Sequence, residues 1–336
     1  MQKQSVRQAV RGLCFLLVAL LLFSAVSFVL ERKTLFGPWN YMAKMGEFYD
    51  LEEDTLDYIC VGSSHAYCTV NPLEVYNQNG LKGFVLATQQ QPLRATYHYI
   101  VEAFKTQSPQ VVFLEGYMVF DNAPTEGVLH DAVDPLSPSL NKMQMINALV
   151  EPGERDAYYF NVIKYHTRWR ELSAEDMATV LRAPNDIYKG FVPLNGAFTA
   201  KQQIPDYEAI VATDIPAENR EALEDIRTLV EENGAELVLL IAPYAVDNVK
   251  SAGAIKTARE WAAQNGVAIL DYAQLQKELG VDPATDYYDG SHLDISGAAK
   301  VSRHLAGYLE QMGLTPQERS DAKWNRDWET YAENVG

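Results

Sequence analysis

The sequence predicts an α/β protein built on a doubly wound parallel sheet of about five strands. Five short apolar runs recur along the chain, and their apolarity is continuous rather than alternating, as in strands covered on both faces. These runs are residues 58–61, 83–87, 111–114, 236–242 and 267–270. Helical patterns lie between them, which is the order of elements in a parallel sheet with crossover helices.

The first thirty residues predict a membrane anchor. Residues 13–30 carry no charge, and at ~1.5 Å per residue such a helix is ~27 Å long, close to the hydrocarbon thickness of a bilayer. Three basic residues precede the run and Arg32 and Lys33 follow it, which slightly favours a cytoplasmic N-terminus and an extracytoplasmic domain. A cleaved signal peptide is the alternative, but its apolar core is usually only ~7 to 15 residues long.

The overall charge argues against a nucleic-acid partner. The 336-residue chain has 28 basic and 45 acidic side chains, which gives a net charge of −17. Such a chain has no excess of cations to neutralise phosphates. We also find no Walker loop, dinucleotide glycine fingerprint or paired-cysteine metal motif, so no cofactor is expected.

The chain is predicted to have three parts. Residues 1–33 form the cytoplasmic N-terminus and anchor, residues 34–314 the α/β domain, and residues 315–336 a polar C-terminal tail. The interval 116–215 is too long for one crossover and is rich in aromatic residues, so it is predicted to be an inserted helical subdomain or lid.

The first predicted strand leads directly into Gly62-Ser63-Ser64-His65. In a wound sheet, ligands bind beyond the carboxyl ends of the strands, so the Ser64 hydroxyl is expected at the ligand-binding edge. We predict a loop over 62–70, because Asn71 and Pro72 have the residue types that begin a helix.

A second motif, Asp289-Gly290-Ser291-His292, precedes the last predicted helix, for which Ser296 is the expected cap. A carboxylate three residues before an imidazole can hold its Nδ1–H and leave Nε2 free as a base. Taken alone, each motif is more often a turn than a site. Together they gain weight, because a wound sheet can bring both to one edge.

Both motifs resemble the conserved blocks of SGNH/GDSL hydrolases. Residues 61–65 resemble the first block, with Ser63 where the family usually has Asp, and residues 289–298 resemble the last block. The similarity extends over about residues 57–312. Within the superfamily, the chain resembles bacterial cell-envelope proteins related to the teichoic-acid D-alanylation protein and to polysaccharide O-acetylation enzymes.

This resemblance implies a flavodoxin-like three-layer α/β/α fold and an acyl-enzyme mechanism without metal. Ser64 would be the nucleophile, Asp289 the orienting carboxylate and His292 the base. The expected function is a membrane-anchored extracytoplasmic esterase or O-acyltransferase acting on acyl esters of cell-envelope glycans. A membrane-bound acyltransferase is an expected partner.

The chain departs from the family after the third strand. The Gly-x-Asn-Asp block is absent and Glu115-Gly116-Tyr117 stands there, so the oxyanion donors must come from elsewhere. The candidates are the Ser64 backbone N–H and the segment 88–92, in which Thr88, Gln89 and Gln91 are polar. Glu115 itself is interpreted either as a site carboxylate or as the buried partner of an arginine.

Other interpretations remain open on the sequence alone. A non-catalytic envelope protein of the same fold would bind a glycan or a membrane acyltransferase. His65 is grouped with the oxyanion and substrate-binding candidates, and it is also interpreted either as a second base or as part of a metal site. In the latter case a metal-dependent phosphoesterase would use His65, Asp289 and His292. Residues 166–169 and 185–186 of the insert are interpreted either as substrate contacts or as an amphipathic helix and a turn.

Overall fold

A five-stranded, all-parallel sheet lies at the centre of the protein. The computed structural model describes residues 2–31, 40–119, 124–174, 176, 186–196, 198, 209–245, 249–316 and 321–335. The strands are β1 (Tyr58–Gly62), β2 (Gly83–Ala87), β3 (Val111–Glu115), β4 (Glu236–Ile241) and β5 (Ala268–Asp271). Their spatial order is β2-β1-β3-β4-β5. The predicted α/β class and parallel sheet are confirmed.

The burial of the strands explains why their sequences are continuously apolar. Every residue of β1, β2 and β3 is buried, whereas β5, at the edge of the sheet, is only partly covered. In the centre, Cys60 pairs with Val85 on one side and Phe113 on the other. A side chain on such a strand meets protein on both faces, so a polar residue at these positions would lose its water.

The described helices surround this sheet. They are α1 (Gln2–Leu30), α2 (Tyr41–Tyr49), α3 (Ser64–Thr69), α4 (Pro72–Asn79), α5 (Leu93–Ala103), α6 (Glu126–Val133), α7 (Leu140–Leu149), α8 (Arg155–Tyr159), α9 (Asn161–Tyr165), α10 (Ala217–Glu232), α11 (Val249–Asn265), α12 (Tyr272–Leu275), α13 (Ile295–Gln311) and α14 (Ala322–Val335). Short 3₁₀ helices cover Tyr117–Val119 and His166–Arg170. In the described residues, α4 packs against α13 and α14, whereas α5 packs against α7 and α10.

Helix α1 carries the segment predicted as an anchor. Within the part of the chain that the structure describes, Val6–Leu30 is long and apolar enough to cross a membrane, judged by length and composition. Its side chains are mostly exposed, unlike those of a core helix. Arg32 and Lys33, which entered the orientation argument, lie outside the described residues.

The predicted loop over 62–70 is wrong, because α3 occupies Ser64–Thr69. Ser63 caps this helix by accepting a hydrogen bond from the His65 backbone N–H. A helix of six residues is too short to show a helical period, which is why the sequence pattern missed it. The predicted start of α4 is confirmed, since Asn71 caps it and Pro72 is its first residue.

The C-terminal tail packs on the domain as a helix. Trp324 and Tyr331 of α14 are buried. The fully buried ammonium of Lys189 lies 2.7 Å from a carboxylate oxygen of Glu47 in α2 and 2.5 Å from one of Asp327 in α14. This buried cation therefore joins the first helix after the anchor segment to the last helix of the chain.

Candidate functional site

The Ser64 hydroxyl opens onto a cleft of about 450 Å³. Its walls come from segments that are far apart in the sequence. The side chains that line it include Tyr41, Tyr67, Gln89, His130, Asp131, Asp134, Tyr165, Tyr288, Asp289 and His292. Ser64, Asp289 and His292 are thus brought together, as the two sequence motifs predicted.

A tight turn after β1 presents Ser64. Gly62 has φ +145°, a conformation that side chains rarely adopt, and a Cβ there would lie 2.7 Å from the Glu115 Cβ. The turn thus requires glycine, both for its backbone and for its close approach to β3. Ser64 is then the first residue of α3.

A short loop holds His292 above Ser64. The Asp289 Oδ1 accepts hydrogen bonds from the backbone N–H groups of Ser291 (2.8 Å) and His292 (2.9 Å), which fixes the turn. The same carboxylate lies 2.9 Å from the His292 Nδ1, and the opposite ring nitrogen, Nε2, lies 2.9 Å from the Ser64 Oγ. A carboxylate at Nδ1 selects the tautomer that carries its proton there, so Nε2 is the acceptor facing the hydroxyl.

The charge on Asp289 suits this arrangement. Partial burial acts to raise its pKa, but hydrogen bonds from the His292 ring and from the Ser291 and His292 backbone outweigh burial and hold the pKa well below its ordinary value. Asp289 is therefore ionised at neutral pH, and a carboxylate in this position would stabilise a positive charge on the His292 ring.

His65 lies behind His292 rather than beside the Ser64 hydroxyl. Its buried ring stacks on the His292 ring with centroids 4.7 Å apart and also packs on Tyr117. Burial, followed by the proximity of His292, holds the pKa of His65 well below its ordinary value, so the ring is neutral. Its Nε2 makes no hydrogen bond with any residue that the structure describes. A neutral, stacked ring fixes the position of His292 without competing for its proton.

Glu115 is buried beneath the turn that carries Ser64. Its carboxylate accepts hydrogen bonds from the Ser63 hydroxyl (2.6 Å) and from the backbone N–H groups of Ser63 (3.3 Å) and Tyr117 (2.6 Å). Its partners are therefore these groups rather than an arginine. Burial raises its pKa to about 7, against the opposing effect of these hydrogen bonds.

The candidate oxyanion residues are placed differently from one another. Gln89 lines the cleft, whereas Thr88 and Gln91 are buried, with the Thr88 hydroxyl donating to the Gln91 Oε1 at 3.2 Å. The Gln89 backbone N–H donates to the Tyr41 hydroxyl at 3.0 Å. The Ser64 N–H belongs to the first turn of α3, where backbone donors have no partner within the helix.

The wall opposite Ser64 is acidic and aromatic, and the sequence motifs did not reveal it. Asp134 lies 3.0 Å from the His130 Nδ1 and accepts a hydrogen bond of the same length from the Tyr165 hydroxyl. Asp131 also lines this wall. The four-residue spacing of His130 and Asp134 on α6 is the one sequence signal for this pair.

The predicted contacts in the insert lie elsewhere. His166–Arg170 is a 3₁₀ helix, and Arg168 donates to the Leu30 and Glu31 carbonyls at the end of α1. Asp186 is buried in a turn, where it accepts the backbone N–H groups of Tyr188 and Gly190. Asn185 lies outside the described residues. Neither Arg168 nor Asp186 lines the Ser64 cleft.

The metal interpretation finds little geometric support. Across the residues that the structure describes, no group of three or more His, Cys, Asp and Glu side chains has an arrangement that could hold a metal ion. His65 stacks on His292 through its ring face instead of converging with it on a common point. Comparison of the chain with models of known protein families and with curated proteins finds no match.

Proposed function

We propose that this protein is a serine esterase or O-acyltransferase of the SGNH/GDSL superfamily, anchored by α1 with its α/β domain outside the cytoplasm. The observation that carries the proposal is the hydrogen-bonded series Asp289–His292–Ser64, with both contacts of the His292 ring at 2.9 Å. This is the geometry in which an imidazole activates a hydroxyl as a nucleophile.

The fold supports the superfamily assignment. The strand order β2-β1-β3-β4-β5 is that of flavodoxin-like doubly wound sheets, in which ligands bind at the carboxyl ends of the strands. Helices α4, α13 and α14 form one packed group and α5, α7 and α10 another, in keeping with the two outer layers of a three-layer α/β/α fold.

The proposed reaction begins when the Ser64 Oγ attacks an ester carbonyl while its proton passes to the His292 Nε2. The carbonyl becomes a tetrahedral oxyanion, steadied by the Ser64 N–H and a donor from the Gln89 turn. Its collapse breaks the ester C–O bond, and His292 returns the proton to the leaving alcohol. Water or a sugar hydroxyl then attacks the acyl carbon while its proton passes to the His292 Nε2. The bond from that carbon to the Ser64 Oγ breaks, and His292 returns the proton to Ser64.

The lining of the cleft is one reason for proposing glycan esters. Tyr288 lines it and is exposed, so its ring can offer both an apolar face and a polar edge to a sugar, whereas Tyr41, Tyr67 and Tyr165 are buried in its wall. The proposed orientation of the anchor rests on Lys3, Arg7 and Arg11, which lie on the N-terminal side of the apolar run. With the domain outside, cell-envelope glycans are the esters within its reach.

Reaction of the full-length protein in detergent with a fluorophosphonate, read by intact mass, tests the proposal. We expect one adduct in the wild type and none in Ser64→Ala, with strongly slowed labelling in His292→Ala. Ser296→Ala, an exposed serine in the first turn of α13, is the matched control and should label normally. A wild type that stays unlabelled would overturn the serine mechanism and favour the non-catalytic, glycan-binding alternative.

A further inference from the structure

The end of α1 is fixed to the α/β domain by several contacts. The Arg168 guanidinium donates 2.8 Å hydrogen bonds to the carbonyls of Leu30 and Glu31, which are the last acceptors of α1. Asn161, the first residue of α9, donates to the Glu31 carboxylate. Lower on the helix, the Phe23 ring meets the edge of Phe160 with centroids 6.2 Å apart. The apolar helix therefore has a defined position against the insert.

Exposed large apolar side chains gather on this same side of the domain. Outside α1, the described ones are Leu140, Met143, Phe160, Ile163, Trp169, Val211, Ile269 and Tyr288. Five of these eight belong to residues 140–169, the segment that holds α1. We call residues 140–169 the anchor-side face. A soluble surface rarely groups large apolar residues in this way without a partner.

A groove joins the anchor-side face to α1. It has a volume of about 630 Å³ and is lined by Leu20, Phe23 and Phe28 of α1 and by Met143, Ile146 and Phe160 of the insert. Apolar side chains of the helix and of the domain therefore face each other across this groove, which Lys142 and Glu31 also line. Whatever medium surrounds α1 at the level of this groove is therefore also in contact with the anchor-side face.

The position of α1 in a bilayer sets the depth of this face. About 20 helical residues span the hydrocarbon core, and residues 12–30, the 19 residues between Arg11 and Glu31, come close to that length. Phe23 then lies about 12 Å below the outer boundary, since a helix rises ~1.5 Å per residue. Moving the boundary down to Phe23 would draw both Arg7 and Arg11 into hydrocarbon, at a cost of up to about 3 kcal/mol each at its centre.

We propose that the anchor-side face is immersed in the outer leaflet, so that the partner of this surface is the lipid bilayer itself. Phe160, which contacts Phe23, then lies roughly 10 Å deep, near the limit reached by interfacial helices. Residues 140–169 carry four basic and three acidic side chains and are followed by Arg170, so this face is more basic than the chain as a whole, with its net charge of −17, and suits anionic headgroups. The proposal rests on the anchor in the proposed function but is independent of its serine chemistry.

The immersion brings the cleft to the membrane surface. Helix α9 begins beside Phe160 and ends at Tyr165, whose side chain lines the cleft. Five helical residues rise only about 7 Å, so the Ser64 cleft opens near the level of the headgroups. Esters carried close to the membrane are then the ones that reach Ser64.

Depth-dependent fluorescence quenching in the full-length protein tests this placement. In a Cys14→Ser background, in which the remaining Cys60 and Cys68 are buried, Ile163→Cys carries an environment-sensitive fluorophore. Val211→Cys is the matched control, because Val211 is also exposed and apolar but lies beside Gly253 of α11. Both proteins are placed in nanodiscs of mixed zwitterionic and anionic phospholipids, with and without a nitroxide on the acyl chains.

We expect the fluorophore at position 163 to lose most of its emission to the lipid nitroxide and the one at position 211 to keep it. Trp169→Cys provides a second site on the face if Ile163→Cys melts at a lower temperature than its parent. Equal emission with and without nitroxide at 163 and 169 would overturn the proposal and leave the face to a protein partner. Equal quenching at 163 and 211 would overturn it too, by showing adsorption without a preferred face. Neither readout involves Ser64.

Discussion

The Ser63 hydroxyl donates a 2.6 Å hydrogen bond to the Glu115 carboxylate, directly behind the residue that faces the cleft. Ser63 stands where the resembled family usually has Asp, and here the acidic group comes from β3 instead. The pairing predicts that the two positions cannot both be acidic. Ser63→Asp would bury two carboxylates in contact, which should cost about 3 kcal/mol or more at neutral pH.

The double variant Ser63→Asp/Glu115→Gln provides the control for that effect. It returns one carboxylate to the pair, so we expect its melting temperature to recover most of the loss seen in Ser63→Asp. Thermal unfolding of the four proteins forms a double-mutant cycle. Additive losses in the double variant would mean that Ser63 and Glu115 are not coupled.

Glu115 should also make stability depend on pH. Its folded-state pKa is raised from 4.5 to about 7, so between these values the folded protein keeps a proton that the unfolded chain has lost. Its contribution is therefore fully present below about pH 4.5 and declines by up to about 3 kcal/mol as the pH rises through 7. The free energy of unfolding is measured with denaturant for the wild type and for Glu115→Gln, each at pH 5 and pH 8. The difference between the two pH dependences is the contribution of Glu115, because His65 contributes equally to both proteins. A parallel pH dependence in the two proteins would refute the assignment.

Gly62→Ala should destabilise the nucleophile turn. The backbone there has φ +145° and the added methyl would lie 2.7 Å from the Glu115 Cβ, so we expect a loss of about 2 kcal/mol or more. Gly307→Ala in α13 is the matched control, because its methyl would meet no atom within 4 Å and alanine favours a helix by about 1 kcal/mol. Chemical denaturation should move the two midpoints in opposite directions; a stable Gly62→Ala would contradict the described turn.

Asp289→Asn should abolish most activity while keeping the loop. The amide would donate to the His292 Nδ1 and favour the wrong tautomer, which we expect to slow fluorophosphonate incorporation by about 10³-fold to 10⁴-fold. Asp294→Asn, in the same loop, is the control, since asparagine can replace the Asp294 cap of α13. Loss of reactivity in both variants alike would point to a folding defect rather than to the tautomer.

The acidic wall of the cleft predicts a preference for uncharged acyl groups. Asp131, Asp134 and Asp289 all line the site, so a neutral acetyl ester should exceed a matched succinyl ester in kcat/KM by on the order of tenfold at low salt. The difference should shrink as salt is added, and Asp131→Asn should narrow it further. A preference for the succinyl ester would exclude this electrostatic selection.

The fold was predictable where one local pattern dominates. Strands buried on both faces leave unbroken apolar runs, and the predicted strands agree with the observed ones to within a residue or so at each end. The residues that cap helix N-termini were harder to predict, because several neighbouring polar residues could each accept the first backbone hydrogen bonds of the helix. Asp294 rather than the expected Ser296 caps α13, since the helix begins earlier, at Ile295.

The candidate site was predictable only in its motif-bearing half. Ser64, Asp289 and His292 sit in short local signatures, and a wound sheet brings the edges of its strands together. The pairing of Ser63 with Glu115 depends on side-chain approach between β1 and β3, which no local pattern encodes. Asp131 lies on α6, an ordinary amphipathic helix, and Asp134 caps its C-terminal end; both reach the cleft only through the packing of the insert.

The burial of Lys189 between Glu47 and Asp327 has a consequence for the order in which the protein matures. Asp327 belongs to the helix that is synthesised last, whereas Glu47 lies on α2, which also supplies Tyr41 to the cleft. Until α14 emerges, Lys189 lacks the second of its two carboxylate partners and Glu47 lacks its second cation, Lys323, so this buried ion group is incomplete and costly to bury. We therefore expect α2, and with it Tyr41, to take its final position in the cleft wall only after the whole chain has been synthesised. A chain truncated before α14 would contain every residue of the Ser64 site, but its cleft would not be fully formed.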